Sequence, residues 1–274
     1  MSVISRVKKT PPAPSLLAVC PGDDLSRGPA GELAEELDLP LLPLSTDPRR
    51  CTSARAVLLV YVNGIALQLT GKQAPGPVSV DFGESTMRHR RGAGHNELLG
   101  RAVGIGKKDG LRVFDATAGL GRDSFVLADL GAQVTLCERH PVVAAMLRSG
   151  LQLAQSSTDP WLAGAAARMT LVASDAMELP AEQLQDFDVI YLDPMFRQRD
   201  QRAAVKKEMA LFQFLLQEEP DSNEDLLHWA LASPVARVVV KRPPRAASLA
   251  DVKPSHSIKG KAVRYDVHVL SGLN

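Results

Sequence analysis

Between Val113 and Phe125 the chain passes from an apolar stretch through Asp115 into glycines at 119 and 121, and then into a helical pattern starting near Arg122. A strand that ends on an acid and turns on two glycines into a helix is the opening unit of a parallel α/β sheet, because only a crossover helix brings the next strand back alongside the first. The surrounding chain repeats that grammar. Leu111–Asp115, Val134–Glu138, Met169–Ala173, Val189–Leu192 and Val235–Lys241 are short apolar runs suited to a sheet covered on both faces. Helical stripes lie between them at Arg122–Leu130, at Pro141–Leu153 with proline at the first position, and at Val205, Met209, Phe212 and Leu216. Tyr265–Leu270 reads as a final antiparallel edge strand. Residues 83–274 are therefore expected to form a doubly wound α/β domain, with its ligand site at the carboxyl ends of the strands.

Ahead of this domain the grammar differs. A helix is expected at Gly31–Leu37, and Ala56–Val62 with Ile65–Thr70 reads as a hairpin turning on Asn63-Gly64 in a type I′ turn. Val78–Phe82 reads as a third strand after Pro75-Gly76-Pro77. Residues 1–82 are expected to form a small N-terminal α+β domain.

At 274 residues, 45% of them hydrophobic and 23% charged, the chain has enough apolar material for a real core. No apolar stretch reaches the roughly 20 residues needed to span a bilayer. Pro11, Pro12 and Pro14 interrupt the N-terminal apolar run, so no secretion signal is expected. Cys20, Cys51 and Cys137 are scattered and have no partner at ligand spacing. A disulfide framework and a metal site are thus not expected, and a reducing, cytoplasmic setting is.

The glycine turn carries the cofactor argument. Gly119 and Gly121 let backbone approach a ligand closely, and the N–H groups at the helix start face it. A dinucleotide fingerprint needs a third glycine where this chain has Ser124, and Asp123 would set a negative charge beside a pyrophosphate. S-adenosylmethionine carries no phosphate but a cationic amine and a sulfonium, which carboxylates at 115 and 123 suit. Glu138, ending the second strand, is placed to accept from ribose hydroxyls. Asp175-Ala176 after the third strand is placed for the adenine amine and a ring nitrogen. These residues favour S-adenosylmethionine over a nicotinamide cofactor.

The fourth strand runs into Asp193-Pro194-Met195-Phe196. The exocyclic amine of a nucleobase is a poor nucleophile, because its lone pair is delocalised into the ring. The Asp193 carboxylate and the Pro194 carbonyl can hold its hydrogens, and Phe196 can stack on the base, so that the reaction becomes one of positioning and electrostatics. Such a base must be unpaired or flipped out.

Charge is distributed unevenly. Residues 23–47 hold seven acids against Arg27, whereas 237–264 hold eight bases against Asp251. Basic residues flank the inferred pocket: Arg88, Arg90 and Arg91 before the first strand, Arg197, Arg199, Lys206 and Lys207 after Phe196, and Lys241 and Arg242 at the fifth strand. Their shared edge of the sheet assigns them to RNA phosphates.

Asp81-Phe82, Met87-Arg-His-Arg-Arg91, Ala102-Val-Gly104, DATAGLGRD at 115–123, Glu138-Arg139, Pro141-Val-Val-Ala144, YLDPMF at 191–196, Val205-Lys-Lys-Glu-Met209 and Val238-Val-Val-Lys-Arg-Pro243 together resemble the ribosomal RNA small subunit methyltransferase J family, the 16S rRNA (guanine(1516)-N2)-methyltransferases. The resemblance covers about residues 80 to 270. It implies a Rossmann-like class I methyltransferase fold, a cytoplasmic enzyme using S-adenosylmethionine, and 16S rRNA or the small ribosomal subunit as partner. It further implies cofactor contacts at Arg122, Asp123, Glu138, Arg139, Asp175, Ala176 and Asp193. Other readings are an amino-methyltransferase on DNA or protein glutamine, against which Met195 counts, and a non-catalytic RNA-binding protein on the same fold, against which the intact Asp193 and glycine turn count.

Overall fold

The computed structural model describes residues 15–44, 46–92, 97–194, 211, 214–215 and 223–273. A seven-stranded sheet dominates it. Five parallel strands are built on the expected apolar runs: β5 (Arg112–Asp115), β6 (Gln133–Glu138), β7 (Met169–Ala173), β8 (Val189–Leu192) and β9 (Arg237–Arg242). With β10 (His256–Lys259) and β11 (Arg264–Val269) the order across the sheet is β10-β11-β9-β8-β5-β6-β7. The chain builds outward from β5 to β7 and then restarts at β8 on the other side of β5. The point of reversal therefore lies between β5 and β8, where a doubly wound sheet opens its ligand crevice.

The final strand is antiparallel, as expected, but it is not the edge. β11 lies between β9 and β10, and β10 holds the edge. The four residues of β10, His-Ser-Ile-Lys, are half-exposed or exposed and make no apolar run, which is why their strand left no hydrophobic trace.

Helix α4 (Arg122–Asp129) starts from Gly121, and α5 (Pro141–Gln155) has Pro141 in its first turn, with the His140 ring accepting from the Val142 N–H at 3.2 Å. Val142, Val143, Met146, Leu147 and Leu151 are all buried. The expected stripe at Val205, Met209, Phe212 and Leu216 lies outside the described residues.

The N-terminal segment forms a four-stranded sheet in the order β1 (Ser15–Pro21), β2 (Ala54–Tyr61), β3 (Gly64–Leu69), β4 (Val78–Ser79). β1 is parallel to β2, joined to it through α1 (Arg27–Glu36). The hairpin turns one residue earlier than expected. Tyr61 pairs with Gly64, the loop is Val62-Asn63, and neither loop residue has the positive φ that a type I′ turn needs. Gly64 alone takes a positive φ, of 131°, and a Cβ there would lie 3.1 Å from Leu153 of α5.

The hydrophobic core is continuous from this sheet into the main one, with Leu58, Leu67, Val80, Phe82, Leu127 and Leu147 in one cluster. Two contacts set that junction. The Phe82 ring stacks on Phe125 of α4 at 4.9 Å between centroids. Gly150 of α5 lies so close to Val80 that a Cβ would fall 2.4 Å from its Cγ1 and 2.7 Å from its carbonyl oxygen.

Candidate active site

β5 is buried through Val113 and Phe114 and ends on Asp115, itself 2% exposed. The Asp115 carboxylate accepts from the Thr117 N–H at 3.1 Å and from the Ser124 hydroxyl. Burial pushes its pKa up to about 7, against the pull of those hydrogen bonds. Ser124 is fully buried. The position where a dinucleotide turn would carry glycine thus holds a hydroxyl that braces the strand-end acid. Gly119 and Gly121 both have positive φ, 54° and 71°. At Gly121 a Cβ would meet Leu147 at 2.7 Å and Phe82 at 3.1 Å, so this turn is fixed by packing beneath as well as by backbone conformation.

Glu138 at the end of β6 joins the turn to the next strand. One carboxylate oxygen accepts from the Gly119 N–H at 2.9 Å and the other from the His140 N–H at 2.8 Å. The Ser174 N–H donates to the Glu138 carbonyl at 3.1 Å, which draws the end of β7 alongside. Asp175 caps the following short turn by accepting from the Met177 N–H at 2.9 Å, with Arg139 4.0 Å away and Ala176 buried. A carboxylate oxygen has more than one acceptor site, so a side chain that holds a backbone N–H can also meet a ligand hydroxyl or amine. Backbone N–H groups, two positive-φ glycines and the Glu138 and Asp175 carboxylates form a donor and acceptor set that fits an adenosine bearing a cationic tail.

At the end of β8, Asp193 is clamped from two sides. Its N–H donates to the Thr117 hydroxyl at 2.7 Å, and its carboxylate accepts from the Lys241 ammonium at 2.6 Å. Pro194 is buried, while the Asp193 side chain stays 36% exposed. Lys241 also donates to Asp123 at 2.7 Å, and Asp123 accepts further from Arg90 at 2.6 Å and from the Tyr191 hydroxyl at 2.7 Å. Burial acts to raise the Asp123 pKa, but the charges of Lys241 and Arg90 outweigh it and hold the carboxyl well below its usual range. Lys241 is held above its usual range, because Asp123 and Asp193 overcome its burial. Burial and the nearby Asp123 push Asp193 upward, with Lys241 opposing.

The structure brings Asp115, Gly119, Gly121, Glu138, Arg139, Asp175, Ala176, Asp193 and Pro194 to one edge of the sheet. Arg122, at the start of α4, donates to Glu84 at 3.1 Å. Asp123, in the first turn of α4, is the anionic centre of a part-buried ion network. Two of the cations assigned to phosphates, Arg90 and Lys241, are its partners. Arg242 is 7% exposed and donates to the Ala247 carbonyl at 2.7 Å. Arg88 and Arg91 pack over the Trp161 ring at 4.9 and 5.2 Å and pair with Asp159 and Asp129. Phe196, Arg197, Arg199, Lys206 and Lys207 lie outside the described residues. Thr117, Tyr191 and the bridging role of Lys241 were missed. Their traces in sequence are a place one or two residues from a strand end and membership of the quoted motifs at 115–123, 191–196 and 238–243, neither of which shows their partners.

A doubly wound sheet with one reversed strand, restarting beside a glycine turn whose acids suit a cationic nucleoside, defines a class I S-adenosylmethionine-dependent methyltransferase. Residues 45–270 match the SAM-dependent methyltransferase family SAM_MT. Ribosomal RNA small subunit methyltransferase J of Thioalkalivibrio sulfidiphilus is 47% identical over 88% of this chain and 92% of its own length. The protein of that name from Stutzerimonas stutzeri is 44% identical over 96% and 95%. The crystal structure of the SAM-dependent methyltransferase NGO1261 from Neisseria gonorrhoeae superposes with a TM-score of 0.69 at 34% identity, covering 94% of this chain and 97% of that one. The chain belongs to the ribosomal RNA small subunit methyltransferase J family.

Proposed function

We propose that this enzyme methylates the exocyclic N2 of a guanine in 16S ribosomal RNA. The observation that carries the reading is the partly accessible Asp193 carboxylate, fixed at the sheet's point of reversal beside Pro194 and tied through its N–H to Thr117 of the glycine turn. The relatives' name, which specifies ribosomal RNA of the small subunit, supports the substrate class.

When bound, S-adenosylmethionine supplies an electrophilic methyl group. Glu138 and Asp175 would hold its ribose and adenine, and the N–H groups of the 115–121 turn would face its tail. The work of this chain is to present the amine. The Asp193 carboxylate and Pro194 carbonyl accept the two amine hydrogens, which frees the lone pair, and Phe196 stacks on the base. The Thr117 hydroxyl fixes the backbone of Asp193, so its carboxylate does not need to be ordered at the moment of reaction. The basic run at 197–207 is assigned to the RNA backbone, and residues 1–82 are read as an ancillary module on the catalytic domain. No described helix is long and apolar enough to cross a membrane, and no acid–histidine–cysteine cluster suited to a metal occurs among the described residues. A cytoplasmic enzyme acting on RNA or the small subunit is the reading that fits.

Nucleoside mass spectrometry of 16S rRNA from cells lacking the protein tests it. An N2-methylguanosine that is missing there, and restored by adding purified enzyme and S-adenosylmethionine to that RNA, is the expected result. An unchanged nucleoside profile overturns the reading.

A further inference from the structure

Among the described residues, Lys241 is the cation that bridges the first turn of α4 and the Asp193 turn. Its ammonium sits 2.7 Å from Asp123 in the first turn of α4 and 2.6 Å from Asp193 at the end of β8. Sequence alone placed it in a basic run facing phosphates, yet two of its three N–H donors are committed inside the protein. The geometry points to Lys241 as a positioning residue for methyl transfer, which aims the Asp193 carboxylate at the substrate amine and keeps it charged. This rests on the amine-orienting role given to Asp193 above.

The charged and titratable groups around Asp193 make the bridge necessary. Asp123 on α4 adds negative charge, Asp115 on β5 is a buried carboxyl whose pKa burial pushes up to about 7, Tyr191 on β8 and Tyr265 on β11 are buried neighbours, and Arg90 is held by Asp123. With Lys241 and Arg90 against Asp123 and Asp193, cations and anions balance. Removing Lys241 leaves two carboxylates and one cation, and the more accessible carboxylate, Asp193, is the one that can then take up a proton. A protonated Asp193 keeps one acceptor oxygen but loses its charge, so it neither orients the amine fully nor stabilises the positive charge that develops on it. A phosphate-binding lysine would behave differently, because its loss would lower RNA affinity and leave the bound complex fully reactive.

The test is single-turnover methyl transfer to 16S rRNA across pH, with RNA and S-adenosylmethionine saturating, alongside RNA affinity. Lys241→Met is expected to lower the rate at neutral pH about thirtyfold or more. The acid limb of its rate profile is expected to move up by about one pH unit or more, so that alkaline pH returns part of the rate. Lys241→Arg keeps the charge, folds around the same anions, and serves phosphates well. It is expected to hold the acid limb in place and bind RNA normally, yet to react about tenfold more slowly, because a planar fork re-aims the carboxylate. A Lys241→Arg enzyme with full rate, or a Lys241→Met enzyme whose profile overlays wild type and whose only loss is RNA affinity, overturns the proposal. Wild-type enzyme inactive on this RNA would instead overturn the substrate reading, so the two failures separate.

Discussion

The Glu138 carboxylate accepts the Gly119 N–H at 2.9 Å, tying the end of the second parallel strand to the glycine turn that follows the first. The same side chain is the one proposed to meet a ribose, so on that proposal it both shapes the cofactor turn and binds in it. Glu138→Ala removes a charged acceptor from both roles. S-adenosylmethionine affinity is expected to fall by roughly 1–3 kcal/mol. Isothermal calorimetry on the folded variant checks this, and unchanged affinity would rule out the ribose contact.

Asp193→Asn keeps the volume of the side chain but removes its charge and one acceptor oxygen. Single-turnover transfer with saturating cofactor is expected to drop about a hundredfold or more. RNA affinity should be largely kept. A variant that reacts at near wild-type rate would sink the amine-orienting mechanism and leave the fold untouched.

Asp115 makes the stability depend on pH. Its folded pKa, about 7, lies above the ordinary 3.8. Between those values the unfolded chain is deprotonated and the folded chain holds its proton, so stability falls as pH rises through that window. Asp115→Asn can accept from the Thr117 N–H and meet Ser124 without a charge. The variant is expected to be more stable than wild type at pH 8 by an amount on the order of 2–4 kcal/mol, with no such gain at pH 4. Urea unfolding at both pH values measures it, and equal gains at both would show that burial does not govern this group.

Arg90 and Asp123 form a pair whose side chains are 27% and 10% exposed. Arg90→Met leaves a buried carboxylate short of one cation and is expected to cost about 3 kcal/mol. Combining it with Asp123→Asn should cost less than the sum of the single changes, because the unpaired charge goes too. A strictly additive double-mutant cycle would show the network to be without energetic coupling.

Replacing Arg197, Arg199, Lys206 and Lys207 with glutamine is expected to weaken RNA binding. The slope of log affinity against log salt should flatten by roughly 3, while S-adenosylmethionine binding is kept. An unchanged slope would return this run to a plain solvated surface.

The sheet was legible because its central strands β5, β8 and β9 are almost continuously buried and so read as apolar runs, and because the glycine turn marks where the first helix of the domain's sheet begins. β1 was not legible, since Ser15–Pro21 lies in a stretch whose prolines and acids mask it. Neither was β10, a polar edge. The positions of Asp115 and Glu138 at strand ends were legible from where their apolar runs stop. The ion network was not, because Lys241 lies 118 positions from Asp123 and 48 from Asp193. A run of basic residues shows charge but not where its counter-ions are, and here the counter-ions of Arg90 and Lys241 lie across the fold.

Gly150 sits in the middle of α5, where alanine would ordinarily favour the helix by about 1 kcal/mol. Here the added methyl would press on Val80, including its carbonyl oxygen at 2.7 Å, which cannot swing aside as a side-chain tip can. Overpacking of this kind costs about 1–3 kcal/mol. Gly150→Ala therefore acts as a wedge far from any chemistry, and it provides a route to a conditional allele. Cells carrying it would modify their ribosomes at a permissive temperature and lose the modification when warmed, with every residue that touches cofactor or RNA still in place.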